Sequence, residues 1–216
     1  MLSEYNQALL TIPFGVFVTL KYTIISLFFG TIVGIIITMG QISKFKPISL
    51  LAQFYVSVLR GTPVLLQLSI VYFALPVVIK FDLSVMQAGI LCFSLNSGAY
   101  ITEIIRGGLL SIDKGQFEAA ESLNITGFKK YRYIIAPQVL RNITPAMVNE
   151  LISLIKETAI ISIIGETDIM RNAQLVTAQY YTFFTPLIVA GITYYTLIML
   201  ITCVGKYYEN KMNIYV

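Results

Sequence analysis

The chain has 216 residues, of which 56% are hydrophobic and 12% charged, with a formal net charge of +4. A soluble domain carries about 25% charged residues, so this chain cannot cover itself with a solvated surface. It contains no histidine, which excludes imidazole bases and His-ligated metal or haem, and Cys92 and Cys203 stand alone in apolar windows as packing residues rather than a redox pair.

Charge-free stretches of 22, 19, 20 and 34 residues lie between Lys21 and Lys44, Arg60 and Lys80, Asp82 and Glu103, and Arg171 and Lys206. A helix needs roughly 20 apolar residues to cross the hydrocarbon core, so four spans follow. Met1 to Leu20 holds Glu4 but no basic residue and runs into an apolar stretch too long for a cleavable signal; the first span is therefore expected to be retained.

In chain order, the expected spans cover residues 14–40, 50–79, 84–107, 142–164 and 184–206. Pro63, Pro76, Pro145 and Pro186 lie in or near them, where proline kinks a helix or marks its start. Arg60 has two readings: its side chain snorkels to the headgroups, or it forms an ion pair with Glu103 near the end of the next span. Asn96, Tyr100 and Glu103 share one face of the third span, either as interhelical hydrogen bonding or as the wall of a pathway.

The connection Gly108 to Arg141 reads as two short helices. Asp113 followed by Gln116 predicts a capping box opening a helix over Lys114 to Leu123, on which Phe117, Ala120 and Leu123 form an apolar stripe. Asn124 tolerates the left-handed conformation that ends a helix, and a basic helix is expected from Thr126 as N-cap until Pro137. Such a unit either lies on anionic headgroups or presents a helix to a partner protein, and composition does not separate the two.

The fourth span is the polar one. At mid-bilayer each charge facing lipid costs about 2.5 to 3.5 kcal/mol. Asn142, Asn149, Glu150, Ser153, Lys156 and Glu157 fall within an arc of about 120° at 100° per residue, so the segment can cross if that arc faces protein or water. Asn149, Glu150, Ser153, Lys156 and Glu157, with Asn96, Tyr100 and Glu103, are thereby expected to line a translocation path or a dimer seam. The segment Gly165 to Phe183, bearing Asp168, Arg171, Gln174 and Gln179, is expected outside. Five spans place ten basic residues on one side against Lys21, Lys80 and Arg171 on the other, which predicts an external N-terminus and a cytoplasmic C-terminus.

The string Gly115-Gln116-Phe117-Glu118-Ala119-Ala120, then Asn124 and Pro137-Gln138, resembles the EAA loop of the permease subunits of bacterial ATP-binding-cassette importers. Arg60-Gly61-Thr62-Pro63, Tyr100-Ile101-Thr102-Glu103 with Arg106-Gly107-Gly108, and Leu154-Ile155-Lys156-Glu157-Thr158 are similar to the polar amino-acid branch, across residues 11 to 206. Two positions depart from the pattern: Asn124 replaces a glycine and Ala136 a common leucine.

The resemblance implies an all-α, five-span permease fold of the type I importers, a single transmembrane domain over residues 1–216 in the bacterial inner membrane, and no catalytic or metal-ligating residue. It also implies docking of Gly115, Gln116, Phe117, Glu118, Ala119, Ala120 and Asn124 onto a separate cytoplasmic ATPase. Further implied partners are an external amino-acid-binding protein, a second permease subunit (a copy or a different chain) and membrane lipid, with no nucleic acid. Glutamine is the first expected substrate. No cofactor is expected on this chain, which has no Gly followed five residues later by Gly-Lys-Ser or Gly-Lys-Thr, so ATP hydrolysis falls to another subunit. A secondary transporter would more often show a longer chain with repeats and broken helices, and a membrane enzyme would need a nucleophile with a base or a metal cluster.

Overall fold

The computed structural model describes residues 2–213, and among them there are helices and no strand. The chain begins with α1 (Leu2–Thr11), which passes through one 3-10 turn into α2 (Gly15–Gln41). Then follow α3 (Lys46–Gly61), α4 (Val64–Ser69), α5 (Leu75–Ile79) and α6 (Val85–Leu110). The loop contains α7 (Lys114–Ser122) and α8 (Gly127–Lys130), and the chain closes with α9 (Ala136–Glu157), α10 (Ile169–Tyr180) and α11 (Phe184–Asn213).

Between two apolar helices in lipid there is little hydrophobic drive, so close approach and hydroxyl hydrogen bonds have to supply the contact. The α2–α6 pair shows how. Gly30, Gly34 and Thr38 recur every four residues on α2 and meet Ser94, Gly98 and Thr102, spaced identically on α6. A Cβ on Gly34 would lie 2.7 Å from Ile101 Cγ2 and 3.2 Å from the Gly98 carbonyl oxygen; one on Gly98 would lie 2.8 Å from Val33 Cγ1. Thr38 donates to its own Gly34 carbonyl (2.7 Å) and across to Thr102 O (3.4 Å), and Thr102 answers at Gly34 O (3.3 Å). The small, polar face is inside, while Ile24, Phe28, Ile36 and Met39 point outward.

Among the described residues, three helices are long and apolar enough to span a membrane alone: Glu4–Gln41, Val85–Leu110 and Phe184–Glu209. A bent pair, Lys46–Gly61 with Val64–Ile79 at 105°, is apolar and long enough only when taken together, as a broken span or a re-entrant loop. The expected single helix over 50–79 is therefore broken, because Pro63 disfavours helical geometry at Thr62, which adopts φ −124° and ψ 147°. The helix of the expected fourth span, α9, is not among these; it has 22 residues, a length of about 33 Å, and packs against α6 and α11.

Pro76, expected to kink the second span or mark a helix start, stands at the first turn of α5, and Pro137, expected to end the second loop helix, is accommodated by the same device. A π-helical turn over Ile70–Ala74 precedes Pro76, and another over Tyr131–Ile135 precedes Pro137; in each, a backbone N–H reaches five residues back, Leu75 to Ile70 and Ala136 to Tyr131. The widened turn frees the next position from the helical ladder, so a residue without an N–H is tolerated. The second loop helix does not stop at Pro137 but runs on into α9, giving one continuous rod from Gly127 to Glu157. The expected fourth span thus begins earlier, at Ala136, and the last stretch, Thr158–Ile164, tightens to a 3-10 helix.

The close approach of α2 to α6 gives a test. Gly34→Ala should lower thermal stability in detergent by about 1 to 3 kcal/mol through overpacking. Gly191→Ala, on α11 where an added Cβ meets nothing within 4 Å, should be neutral or stabilising by up to about 1 kcal/mol. Equal unfolding temperatures for the two variants would contradict this packing.

Candidate functional site

Three groups of polar side chains are built into the helical frame, and the first surrounds Glu103 at the end of α6 nearest the loop. Arg106, one turn on, donates to the carboxylate from Nη2 at 2.6 Å and from Nε at 3.2 Å. Arg60, at the end of α3, approaches at 3.5 Å with its guanidinium 5.3 Å from the centroid of the Tyr100 ring, and Gln41 Nε2 from α2 donates at 3.4 Å. The Arg60–Glu103 contact expected from the sequence is present, but Arg106 is the close partner. Arg60 and Arg106 side chains are 41% and 43% exposed, so solvent screening limits either pair to about 0 to 1 kcal/mol. The cluster joins the ends of α2, α3 and α6 more by geometry than by energy.

The second group sits at the break between α3 and α4. A helix interrupted inside a membrane leaves carbonyls that must find donors. Gln67 Nε2 supplies them, donating to Leu59 O at 2.8 Å, Thr62 O at 3.1 Å and Thr62 Oγ1 at 2.9 Å. Asn96 holds that amide in place through Nδ2 to Gln67 Oε1 at 2.9 Å. Asn96 therefore braces the bend, which is the interhelical hydrogen bonding that was one of the two readings of its polar face. Gln67 was not singled out from the sequence; its one legible signal was an amide four residues after Pro63.

The third group is the polar arc of α9, which the structure divides. Glu150 is buried and accepts from Ser97 Oγ of α6 at 2.6 Å. Glu157, seven residues on, is half-buried, whereas Asn142, Asn149 and Lys156, also spaced by sevens, are exposed, and Ser153 lies between. Asn142 Nδ2 donates to Ser111 Oγ at 2.8 Å. So the arc does not form a single wall: one edge is housed by α6 and the other is open. Ser97 was missed because a serine within an apolar run carries no sign of its partner.

The loop is more ordered than two amphipathic helices would require. Asp113 caps α7 by accepting the Gly115 N–H at 2.7 Å, and a side chain at Gly115 would crowd that carboxylate, its Cβ 2.8 Å from Oδ1. The expected capping box does not form, since Gln116 accepts from Gln138 Nε2 at 3.2 Å instead of reaching back. The capping box lies at the start of α6, between Ser84 and Gln87. Asn124 is left-handed at φ 57°, with Asn124 N–H on Glu121 O (2.9 Å) and Ile125 N–H on Ala120 O (2.8 Å), the paired bonds of a Schellman turn.

Ala120 is only 2% exposed, so it does not lie on a face open to a partner. It and the half-buried Phe117 pack back onto the loop because the stripe they share is the only apolar surface α7 can offer its own chain. Leu123, 72% exposed, leaves that stripe. Lys114, Gly115, Gln116, Glu118 and Ala119 are exposed.

At the opposite end of the bundle, Asp168 caps α10 by accepting the Arg171 N–H at 2.8 Å and receives Tyr194 OH at 3.2 Å. Burial pushes its carboxyl up to about 6, against the lowering effect of these hydrogen bonds. Tyr22 donates to Glu166 at 2.8 Å, and Gln7 bridges Gln179 and Tyr180. Of the segment expected to meet an external partner, Asp168 is thus fully buried and structural. Among the described residues no group of three or more His, Cys, Asp or Glu side chains is placed to hold a metal ion.

An all-helical bundle with a capped helix on a loop and a polar α9 can hold a solute route and a docking element, and related proteins have the same frame. One structure, a crystal structure of an amino acid ABC transporter with histidines, superimposes at a TM-score of 0.88 with 35% identity, covering 97% of this chain and 96% of that one. An inward-facing MetNI methionine ABC transporter shares the fold at a TM-score of 0.74 and 20% identity. In sequence the chain is 50% identical over 198 residues, 92% of its length and 91% of the relative's, to the "Putative glutamine transport system permease protein GlnP" of Rickettsia conorii. It is 44% identical to the arginine transport system permease protein ArtQ of Bacillus subtilis, over 97% of each. The family described as binding-protein-dependent transport system inner membrane component matches residues 29–214, and the chain belongs to that family.

Proposed function

We propose that this chain, as one transmembrane domain, forms the membrane path of an importer for polar amino acids, glutamine first among them, with its N-terminus outside and its C-terminus in the cytoplasm. The single observation that carries the docking part of this reading is α7. It is capped at both ends and packed on its own chain through Phe117 and Ala120, while Glu118 and Ala119 stand exposed on it. A helix held so firmly, with one face free, is pre-organised to enter a groove at low entropic cost. The partners follow from family membership and chemistry: a cytoplasmic ATPase on α7, a soluble amino-acid-binding protein at the opposite face, and a second permease subunit.

The names of the relatives favour glutamine or arginine. The route we assign runs along the open edge of α9, past Asn149, Ser153 and Lys156, with Tyr100 and Glu103 at the loop end. Polar but mostly uncharged groups on that edge suit a zwitterion, whose two charges can be met by amide and hydroxyl partners.

Two measurements check this. In liposomes holding the permease with its ATPase and binding protein, glutamine should raise ATP hydrolysis more than arginine or histidine at equal concentration. No stimulation by any amino acid would overturn the reading. Glu118→Lys or Ala119→Trp should leave the protein in the membrane but abolish co-purification of the ATPase, whereas Ala120→Trp should first destabilise the loop, since Ala120 is buried. Normal co-purification and uptake in both face variants would make α7 a lipid-surface segment.

A further inference from the structure

The loop contains one charged side chain whose surroundings the docking face does not explain. Lys130, the last residue of α8, is 12% exposed at its side chain, although it sits between the exposed Lys129 and the exposed Tyr131. Its Nζ donates to Glu121 Oε1 on α7 at 2.7 Å. The same ammonium lies 5.7 Å from the centroid of the Phe117 ring and 6.0 Å from that of Tyr131, and the two rings meet edge to face at 6.5 Å. A lysine is among the residues least often buried, and ordering its four-carbon stem costs rotamer entropy. Its placement between two aromatic faces and a carboxylate therefore makes it a fixed point of the loop.

What it fixes follows from the continuity of the helix beyond it. Lys130 is on the first turn of the rod that runs without a break from Gly127 to Glu157 and carries Glu150 and Glu157 into the bundle. At 1.5 Å per residue that rod is about 46 Å long. Two more polar contacts tie the same rod to the start of the loop, Gln138 to Gln116 at 3.2 Å and Asn142 to Ser111 at 2.8 Å. Of the three, only the lysine contact engages the C-terminal half of α7, where Asn124 turns the chain away. There it adds a directional restraint to the apolar packing of Ala120.

We infer that Lys130 is a positioning residue: held by Glu121, Phe117 and Tyr131, it clips α7 to the base of the α8–α9 rod, so that a movement of the docked helix is delivered to the polar residues of α9. This rests on the proposal that α7 docks onto the ATPase. Lys130 itself needs no contact with the partner, and its nearly buried side chain has no face to offer one. The acids of α7 are thereby divided in role: Glu121 serves the clip, and Glu118 remains free for the partner.

The test uses the full permease in liposomes with its ATPase and binding protein, and compares Lys130→Met, which keeps the stem, with Lys130→Arg, which keeps the charge. Lys130→Met should still co-purify with the ATPase and hydrolyse ATP at the basal rate, but lose stimulation by loaded binding protein and transport less glutamine per ATP. Lys130→Arg should restore both. Stimulation in Lys130→Met equal to that of the unchanged protein, or an equal loss in Lys130→Arg, would overturn the clip. If Lys130→Met fails to accumulate, Glu121→Gln, at a side chain 60% exposed, serves in its place: loss of stimulation supports the clip and normal stimulation removes it. Failure of the docking reading shows separately, as normal ATPase co-purification by Glu118→Lys.

Discussion

The carboxyl group of Glu150 is the constraint around which the rest of the bundle is arranged. A charged group facing lipid would cost about 2.5 to 3.5 kcal/mol at mid-bilayer, and α9 carries Lys156 and Glu157 besides. The helix can cross only if α6 receives Glu150, which it does through Ser97 at 2.6 Å. Ser97 can stand there because α2 presents Gly30 on its other side, where even a Cβ would lie 3.2 Å from that of Ser97. The close α2–α6 packing and the burial of a carboxylate are one design, since the small residues that let two helices touch also leave room for a third, polar one.

Much of this was legible from residue spacing. Charge-free stretches located the apolar spans, and the arc of polar residues on the fourth showed that it had to face something other than lipid. The left-handed turn at Asn124 followed from its side chain. What spacing could not show was how each polar residue would be satisfied. Asn96 bracing Gln67 at the Pro63 break, and Ser97 meeting Glu150, are contacts between residues 29 and 53 positions apart in sequence. Pro137 misled for a related reason: a proline reads as a stop, but the π turn before it supplies a geometry in which no donor is needed. Ala120 was placed on an open face because amphipathicity gives a stripe and not the surface it meets.

The same arrangement relates the two ends of the molecule. The loop is held to the α8–α9 rod by hydrogen bonds and an ion pair, while the apolar clusters around Ile155, Ile169 and Leu197 join α9 to α10 and α11 farther along. Interiors packed in this way transmit displacement instead of absorbing it. In an ATP-driven importer the hydrolysing subunit and the solute route are in separate chains, so a rigid connection between them is a requirement of the function. The continuous helix from Gly127 to Glu157 has the form that the proposed role requires.

The most direct test of the account asks whether α9 crosses the membrane, since the solute route and its link to the loop both depend on it. In a background with Cys92→Ala and Cys203→Ser, single cysteines would be placed at Lys129, before the rod enters, and at Ala178, beyond it; both positions are exposed. An impermeant maleimide added to intact cells stripped of their outer barrier should label the cysteine at 178 and reach the one at 129 only after the membrane is opened. Labelling of both from the same side would mean that α9 lies along the surface, and the five-span architecture would be wrong.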